Sequence, residues 1–207
     1  MRDSNVYTGH QMIPSKGGRQ IGEFLHAAAA ECPSGTAIVE LGTWFGAGTH
    51  ALASGAPAGV QVHTYDRFRI TQGEKQAAAY CGIKIHGSGD LLTTVKGLLS
   101  DAGDIVYHKG EITQATWEGP EIAVYADDAC KRRGAFTHAI RTFSPWWFPG
   151  TVVVLMDYYW HRRHVAEPDA QVQPEFVAAN RKRLEFLRDW DGLSCVAFRY
   201  VGGKLTY

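Results

Sequence analysis

The sequence predicts an α/β protein with a doubly wound, mostly parallel Rossmann-like sheet and a terminal antiparallel hairpin. Two observations carry this prediction. Short β-branched runs alternate with helical patterns along most of the chain, and the last strand patterns follow each other with no helix between them. At 207 residues, the chain is long enough for one domain with a full core.

Composition narrows the class of protein. Hydrophobic residues make up 45% of the chain and charged residues 20%, which is typical of a globular protein. The formal charge is zero, with 21 basic and 21 acidic residues, and this argues against nucleic acid as a main partner. No apolar run is long enough for a membrane span and no signal-peptide core is seen, so a cytoplasmic location without a membrane partner is expected. The four cysteines form no C-x-x-C pair and are expected to be reduced thiols.

The first 33 residues are predicted to be an arm and a helix that precede the α/β core of residues 34–207. Residues 1–10 show no period and are expected to form a loose arm. The pattern over residues 19–31 predicts a helix, which Pro33-Ser34-Gly35 ends.

A buried strand with an acid near its end leads into a glycine turn. Residues 37–41 are apolar except Glu40, and the turn has the spacing Gly42-x-x-x-Gly46-x-Gly48. This is neither the G-x-G-x-x-G pattern of nicotinamide binders nor a lysine-terminated phosphate loop. A buried carboxylate is costly without a partner, and a ligand's ammonium or hydroxyl group could supply one. The turn therefore favours a cationic cofactor without phosphate, such as S-adenosylmethionine; the alternative is a turn that binds nothing.

A second acid stands at the end of the next predicted strand, residues 60–65. Asp66 lies 20 residues beyond Gly46, where an acid can accept two hydrogen bonds from a ribose diol. The alternative is a carboxylate that caps a helix or a turn.

Residues 40–46, Glu-Leu-Gly-Thr-Trp-Phe-Gly, resemble the first motif of class I S-adenosylmethionine-dependent methyltransferases. The resemblance is closest to small O-methyltransferases of the catechol and caffeoyl-CoA type and to macrocin-type sugar O-methyltransferases, and it covers about residues 12–207. It implies the class I methyltransferase fold, and it is compatible with a homodimer. With the acids and glycines above, the expected cofactor-binding set is Met12, Gly18, Glu40, Gly42, Thr43, Trp44, Gly46, Asp66, Arg67, Glu111, Ile112 and Asp127.

The remaining patterns predict the rest of the domain. The expected elements are a helical region over 72–102, strands over 104–109, 122–126 and 151–156, helices over 136–143 and 174–188, and a hairpin of 194–201 with 204–207 turned by Gly202-Gly203.

Acids again follow two of these strands. Asp127-Asp128 ends the strand over 122–126 and Asp157 ends the strand over 151–156. Adjacent parallel strands lie about 4.8 Å apart, so Asp127 and Asp157, with Asp128 as a third ligand, could share a magnesium or calcium ion. The competing interpretation makes Asp127 or Asp128 a general base, with His161 or His138 as a substitute. The resembled families often place further metal ligands where Met156 and Tyr158 stand here.

The sequence thus indicates an S-adenosylmethionine-dependent methyltransferase that acts on oxygen of a small hydroxylated molecule, such as a sugar or natural-product scaffold. Two alternatives stay open: a catalytically silent cofactor-binding module and a nicotinamide-dependent oxidoreductase. Acceptor specificity is expected to lie in the arm, in a lid over 165–173, and in the aromatic cluster Trp146, Trp147, Tyr158, Tyr159 and Trp160.

Overall fold

A seven-stranded sheet forms the centre of the structure, a computed structural model that describes residues 6–8, 11–86 and 90–207. The strands, numbered along the chain, are β1 (Val6–Thr8), β2 (Gln11–Ile13), β3 (Ala37–Leu41), β4 (Gln61–Asp66), β5 (Ile105–Lys109), β6 (Ile122–Asp127), β7 (Trp147–Met156), β8 (Leu184–Trp190) and β9 (Cys195–Tyr200). The α-helices are α1 (Gly18–Ala30), α2 (Ala47–Gly55), α3 (Gln72–Tyr80), α4 (Leu92–Leu98), α5 (Arg133–Phe143) and α6 (Val172–Ala179).

The strand order of the sheet is β5-β4-β3-β6-β7-β9-β8. Strands β3 to β7 are parallel, whereas β9 runs antiparallel to both β7 and β8. This confirms the predicted doubly wound sheet with a terminal antiparallel hairpin. The chain moves outward from β3 through β4 to β5 and then returns to β6 on the other side of β3. The carboxyl ends of β3 and β6 therefore flank a topological switch point, where α/β sheets commonly bind ligands.

Helices cover both faces of the sheet, and each face has its own apolar core. On one face α1, α2 and α4 contribute buried side chains such as Leu25, Leu52 and Val95. On the other face α5 and α6 contribute Phe136 and Phe176. All five residues of β3 are buried, which explains why all of them except Glu40 are apolar. No helix in the described ranges is both long and apolar enough to span a bilayer.

The predicted loose arm is partly ordered as a ribbon. Strands β1 and β2 pair antiparallel and stand outside the main sheet. Residues 1–5, 9 and 10 lie outside the described part of the chain, as do the side chains of residues 6–8, 11 and 12.

The helical region predicted over 72–102 is two helices, α3 and α4. Helix α3 ends where Gly82 takes a φ of +66°. The Ile83 N–H then donates to the Ala78 carbonyl at 2.8 Å, and the Gly82 N–H donates to the Ala79 carbonyl at 3.3 Å. This Schellman arrangement satisfies the last carbonyls of α3 and turns the chain away from the helix axis.

The predicted long helix over 174–188 is also wrong, because α6 ends at Ala179 and residues 184–190 form strand β8. Asn180 causes the change. Its buried amide donates to the Phe176 carbonyl at 2.8 Å and to the Thr206 carbonyl at 2.7 Å, and its Oδ1 accepts the Thr206 N–H at 2.8 Å. The terminal hairpin therefore consists of β8 and β9 joined through Asp191–Leu193, and Gly202-Gly203 leads instead into a segment that packs beside α6.

We expect Asn180→Asp to lower the free energy of unfolding by about 2–4 kcal/mol, because aspartate keeps the shape but cannot donate either buried hydrogen bond. Urea unfolding measures this change. Gln72→Glu, the same amide-to-acid change at an exposed helix start, is the control and should stay within about 0.5 kcal/mol. Equal effects of the two variants would show that Asn180 does not hold the terminal segment.

Candidate functional site

Of the cavities at the carboxyl ends of the strands, two adjoin the glycine turn. The smaller, about 50 Å³, lies between residues 14–18 and the glycine turn. The larger, about 400 Å³, extends from the turn towards the loop after β5. The residues that line both are Lys16, Gly42, Trp44 and Asp128. The two cavities are therefore neighbouring parts of one groove at the switch point.

Glu40 lies beneath the smaller cavity in a chain of hydroxyl groups. Its Oε2 accepts hydrogen bonds from the hydroxyl groups of Thr49 and, at 2.6 Å, of Thr64. Thr43 Oγ1 lies 2.5 Å from Thr64 Oγ1. Since the single hydroxyl proton of Thr64 goes to Glu40, Thr43 must donate to Thr64. The network fixes the carboxylate and joins β3, β4 and α2.

The second oxygen of Glu40 is directed towards the cavity. Glu40 is 1% exposed, and its Oε1 accepts no hydrogen bond from any residue that the structure describes. A Cβ on Gly48 would lie 2.5 Å from this oxygen, so only glycine leaves room there for a ligand's donor group. Burial raises the pKa of Glu40 to about 7, despite the opposing hydrogen bonds from Thr49 and Thr64.

Asp66 joins the glycine turn to the second strand. Its Oδ2 accepts the Trp44 N–H at 2.9 Å and its Oδ1 accepts the Phe68 N–H at 2.6 Å. It is thus a turn carboxylate, the alternative considered from the sequence. Asp66 nevertheless lines the larger cavity, and each oxygen retains a lone pair with which a diol could be held.

The glycines of the turn have different surroundings. Gly42 has a φ of +102°, and an added Cβ would lie 3.3 Å from the backbone of Asp128 and Ala129, so the turn passes close to the end of β6. Gly46 has a φ of +89° and faces Leu99 in the apolar core. Gly48 lines the smaller cavity, whereas Gly46 lines neither cavity.

Trp44 is one of the residues that line both cavities. It has a φ of +47°, and its indole N–H donates to Glu74 at 3.1 Å. Lys16 Nζ lies 4.8 Å from the centre of the indole ring, a cation–π contact. The segment before α1 is thereby attached to the glycine turn.

Most of the predicted cofactor set lines the groove. The smaller cavity is lined by Gly18, Glu40, Gly42, Thr43 and Trp44, and the larger by Gly42, Trp44, Asp66, Arg67, Glu111 and Ile112. The predicted residues that line neither are Gly46 and Asp127, and the side chain of Met12 lies outside the described part. Lys16, Gly48 and Lys131 are among the lining residues that the predicted set lacks.

Asp127 is a buried cap and not an open ligand. It is 0% exposed, and its Oδ1 accepts the N–H groups of Ala129 at 3.0 Å and Cys130 at 2.8 Å. Its Oδ2 accepts the Tyr125 hydroxyl at 3.2 Å. The carboxylate therefore shapes the loop after β6, and burial raises its pKa.

Two further acids, Asp128 after β6 and Asp157 after β7, interact with Lys131 of the loop after β6. Lys131 Nζ lies 2.7 Å from Asp157 Oδ2. Burial raises the pKa of Asp128 to about 7, repulsion by Asp157 and Asp127 adds to this, and Lys131 opposes it. Burial opposes the charge of Lys131, but Asp128 and Asp157 outweigh it and raise the pKa of the ammonium. Charges of both signs thus stabilise one another here.

These residues do not fit the predicted divalent ion. Both oxygens of Asp127 already accept hydrogen bonds, one from the loop after β6 and the other from Tyr125, and Asp157 is paired with Lys131. In the described ranges no three His, Cys, Asp or Glu side chains are arranged to hold a metal ion.

The predicted histidines and aromatic residues fall at different places. His161 follows β7 in a short 3₁₀ helix, Tyr158–Arg163, where its Nδ1 lies 2.7 Å from the Tyr158 carbonyl. His138 lies on α5 and contacts the Ala115 carbonyl at 2.9 Å. Trp147 begins β7 at the opposite end of the sheet and is buried, so Trp146 and Trp147 do not belong to the site.

The segment predicted as a lid is partly helical. Residues Pro168–Gln171 form a 3₁₀ helix in which Ala170 is buried. Gln171 donates to the carbonyls of His161 and His164 at 3.4 and 3.1 Å. The segment is therefore attached to the loop after β7, and its role as a lid stays a prediction.

We expect the stability of the protein to fall as pH rises from about 5 to about 8, in part through Glu40. Between pH 4.5 and about pH 7, the carboxyl group of Glu40 is ionised in the unfolded chain but still protonated in the folded protein. Rising pH therefore lowers the free energy of unfolding, by up to about 3 kcal/mol. Urea unfolding across this pH range should show that the free energy of unfolding of Glu40→Gln increases relative to that of the wild type as pH rises. Glu23→Gln, at an exposed i,i+4 pair, serves as the control. A constant difference between Glu40→Gln and wild type would contradict the burial argument.

Comparison with solved structures supports the fold. No protein-family model and no curated protein matches the sequence. Among solved structures, the O-methyltransferase TomG from Streptomyces achromogenes, involved in tomaymycin synthesis and bound to S-adenosylmethionine, aligns with a TM-score of 0.54 and 19% identity over 88% of this chain and 79% of its own.

Two further structures align over a similar length. The O-methyltransferase NovP gives a TM-score of 0.60 at 14% identity, covering 88% of this chain and 78% of its own. A TDP-rhamnose 3′-O-methyltransferase of calicheamicin biosynthesis gives 0.58 at 12% identity, covering 86% and 76%. The chain therefore has the class I methyltransferase fold, as the resemblance of residues 40–46 predicts.

Proposed function

We propose that this protein is an S-adenosylmethionine-dependent methyltransferase that methylates oxygen on a small hydroxylated molecule. The observation that carries the proposal is the buried Glu40, whose Oε1, beside Gly48 at the switch point of this fold, accepts no hydrogen bond from the described part of the chain. A buried carboxylate oxygen without a hydrogen-bond donor is costly, and a donor group of a bound ligand would recover part of that cost. The O-methyltransferases of similar fold support this choice of chemistry.

The lining residues suit the parts of this cofactor. Glu40 would accept a hydrogen bond from its ammonium group, and Asp66 would accept hydrogen bonds from the ribose hydroxyls. Glu111 and Ile112, at the far end of the larger cavity, would lie beside the base. When bound, the cofactor supplies a methyl group on a cationic sulfur. This methyl group is transferred to the acceptor oxygen, and the sulfur keeps the electron pair of the broken bond.

The acceptor hydroxyl must lose its proton as its oxygen takes the methyl group. Asp128 is the carboxylate that lines both cavities, and we assign it the role of proton acceptor. His161 is the alternative, because its ring lies on the segment that follows β7. Asp127 is excluded from this role by its burial and its three hydrogen bonds.

The two alternatives from the sequence gain no support from the described site. A nicotinamide oxidoreductase needs a turn that holds a pyrophosphate, and here Gly46 faces the core. A silent binding module would keep Glu40 and Asp66, and only an assay with acceptors separates it from the enzyme. The divalent ion is not part of this proposal.

Calorimetry with S-adenosylhomocysteine tests the cofactor site. We expect Gly48→Ala to weaken binding by at least about tenfold, because the added methyl group occupies the space beside Glu40 Oε1. Gly134→Ala is the matched control: Gly134 is likewise the second residue of a helix, and a Cβ there meets nothing within 4 Å. If the wild type binds NAD and not S-adenosylhomocysteine, the proposal fails.

Methyl transfer from labelled S-adenosylmethionine to a library of hydroxylated sugars and phenols tests the reaction. With an accepted substrate, we expect Asp128→Asn to lower kcat by about 10²–10⁴-fold and to leave S-adenosylhomocysteine affinity within about threefold. His161→Gln should retain most of the activity. The reverse pattern would transfer the role of proton acceptor to His161.

A further inference from the structure

The acids that follow β6 and β7 are accompanied by a cation from the chain itself. Lys131 Nζ lies 2.7 Å from Asp157 Oδ2, and its charge also interacts with Asp128. The same lysine lines the larger cavity. A divalent ion shared by these carboxylates would have to occupy the space that the ammonium now fills.

We propose that the ammonium group of Lys131, paired with Asp157 and lining the same cavity as Asp128, is the resident cation of this site and takes the place of a divalent metal ion. The protein then needs no metal to neutralise these acids.

The backbone holds both partners of this ion pair in place. Asp127 fastens the loop after β6 through Ala129 and Cys130, and the Lys131 N–H donates to the Ala129 carbonyl at 3.2 Å. Asp157 has a φ of +58°, a conformation that aspartate tolerates better than most residues. The next residue, Tyr158, donates its N–H to the Ser194 carbonyl at 2.7 Å. The pairing is thus built into two anchored loops.

The charges and the ligand count both disfavour a metal here. Magnesium and calcium take six or more oxygen ligands, and among the described acids Asp127 has no oxygen to spare. Asp128 and Asp157 alone would leave most positions to water. A divalent ion would also repel the ammonium at close range or have to displace it.

Lys131 has donors to spare for a second task. An ammonium group carries three N–H bonds, and Asp157 takes one. The remaining donors can reach the larger cavity, where they would bind the acceptor oxygen and stabilise its negative charge as the proton leaves. This second task rests on the proposed function, whereas the assignment of the cation does not.

Manganese binding, followed by electron paramagnetic resonance on the full chain without cofactor or acceptor, tests the cation. We expect the wild type to show no site with a Kd below about 1 mM, and Lys131→Met to bind Mn²⁺ at least about tenfold more tightly than wild type. Asp157→Asn added to Lys131→Met should remove the gain. Circular dichroism establishes that each variant is folded.

Two results would overturn the assignment. One is a wild-type site with a Kd below about 1 mM that Asp157→Asn abolishes. The other is a folded Lys131→Met variant that binds Mn²⁺ no better than wild type. Because this experiment uses neither cofactor nor acceptor, it decides the question even if the protein transfers no methyl group.

Where an acceptor is found, a second experiment tests the other task of Lys131. Activity should be the same with excess chelator and with added magnesium, and Lys131→Met should lower kcat by about 10²-fold with S-adenosylhomocysteine affinity unchanged. Lys131→Arg, which keeps the charge, should recover part of the loss. Lys109→Met, which removes a comparable ion pair between the last residue of β5 and Asp90, should match wild type. Activity lost to chelator and restored by magnesium would refute metal independence.

Discussion

The site depends on one buried carboxylate. Hydroxyl groups from α2 and β4 donate hydrogen bonds to Glu40, which lies on the central strand β3. These hydrogen bonds fix the positions of β3, β4 and α2 relative to one another. Removing a carboxylate from water is expensive, and threonine hydroxyls recover only part of that cost. Gly48 and Gly42 leave open the space that a ligand must fill to recover more.

Local patterns predicted the part of the fold that positions this site. The strand before Glu40 is buried on both faces, and such strands have a continuous apolar sequence. The distance of Asp66 from Gly46 along the chain predicted that this acid lies at the same edge of the sheet as the glycine turn, because parallel strands all end at that edge. The prediction of a helix over 174–188 was wrong because Asn180 ends α6 by hydrogen bonding to Thr206. Thr206 is 26 residues away along the chain, so a local sequence pattern does not reveal this contact.

The acids could be located from the sequence but their roles could not. Asp127 and Asp128 are adjacent, yet Asp127 is the buried last residue of β6, whereas Asp128, the first residue after the strand, lines the groove. Whether such a pair needs a metal depends on which cations lie near it in space. Lys131 belongs to a loop with no periodic pattern, so its contact with Asp157, 26 residues later, becomes visible only in three dimensions.

The residues that line both cavities, Trp44 among them, have a thermodynamic consequence. In the proposed complex one cofactor would extend through both cavities, with its amino-acid end beside Glu40 and its ribose beside Asp66. Any displacement of the shared residues by one end of the cofactor changes the free energy of binding of the other end, and the effect is reciprocal. The free energies with which two fragments of the cofactor bind separately would therefore not add up to that of the whole molecule.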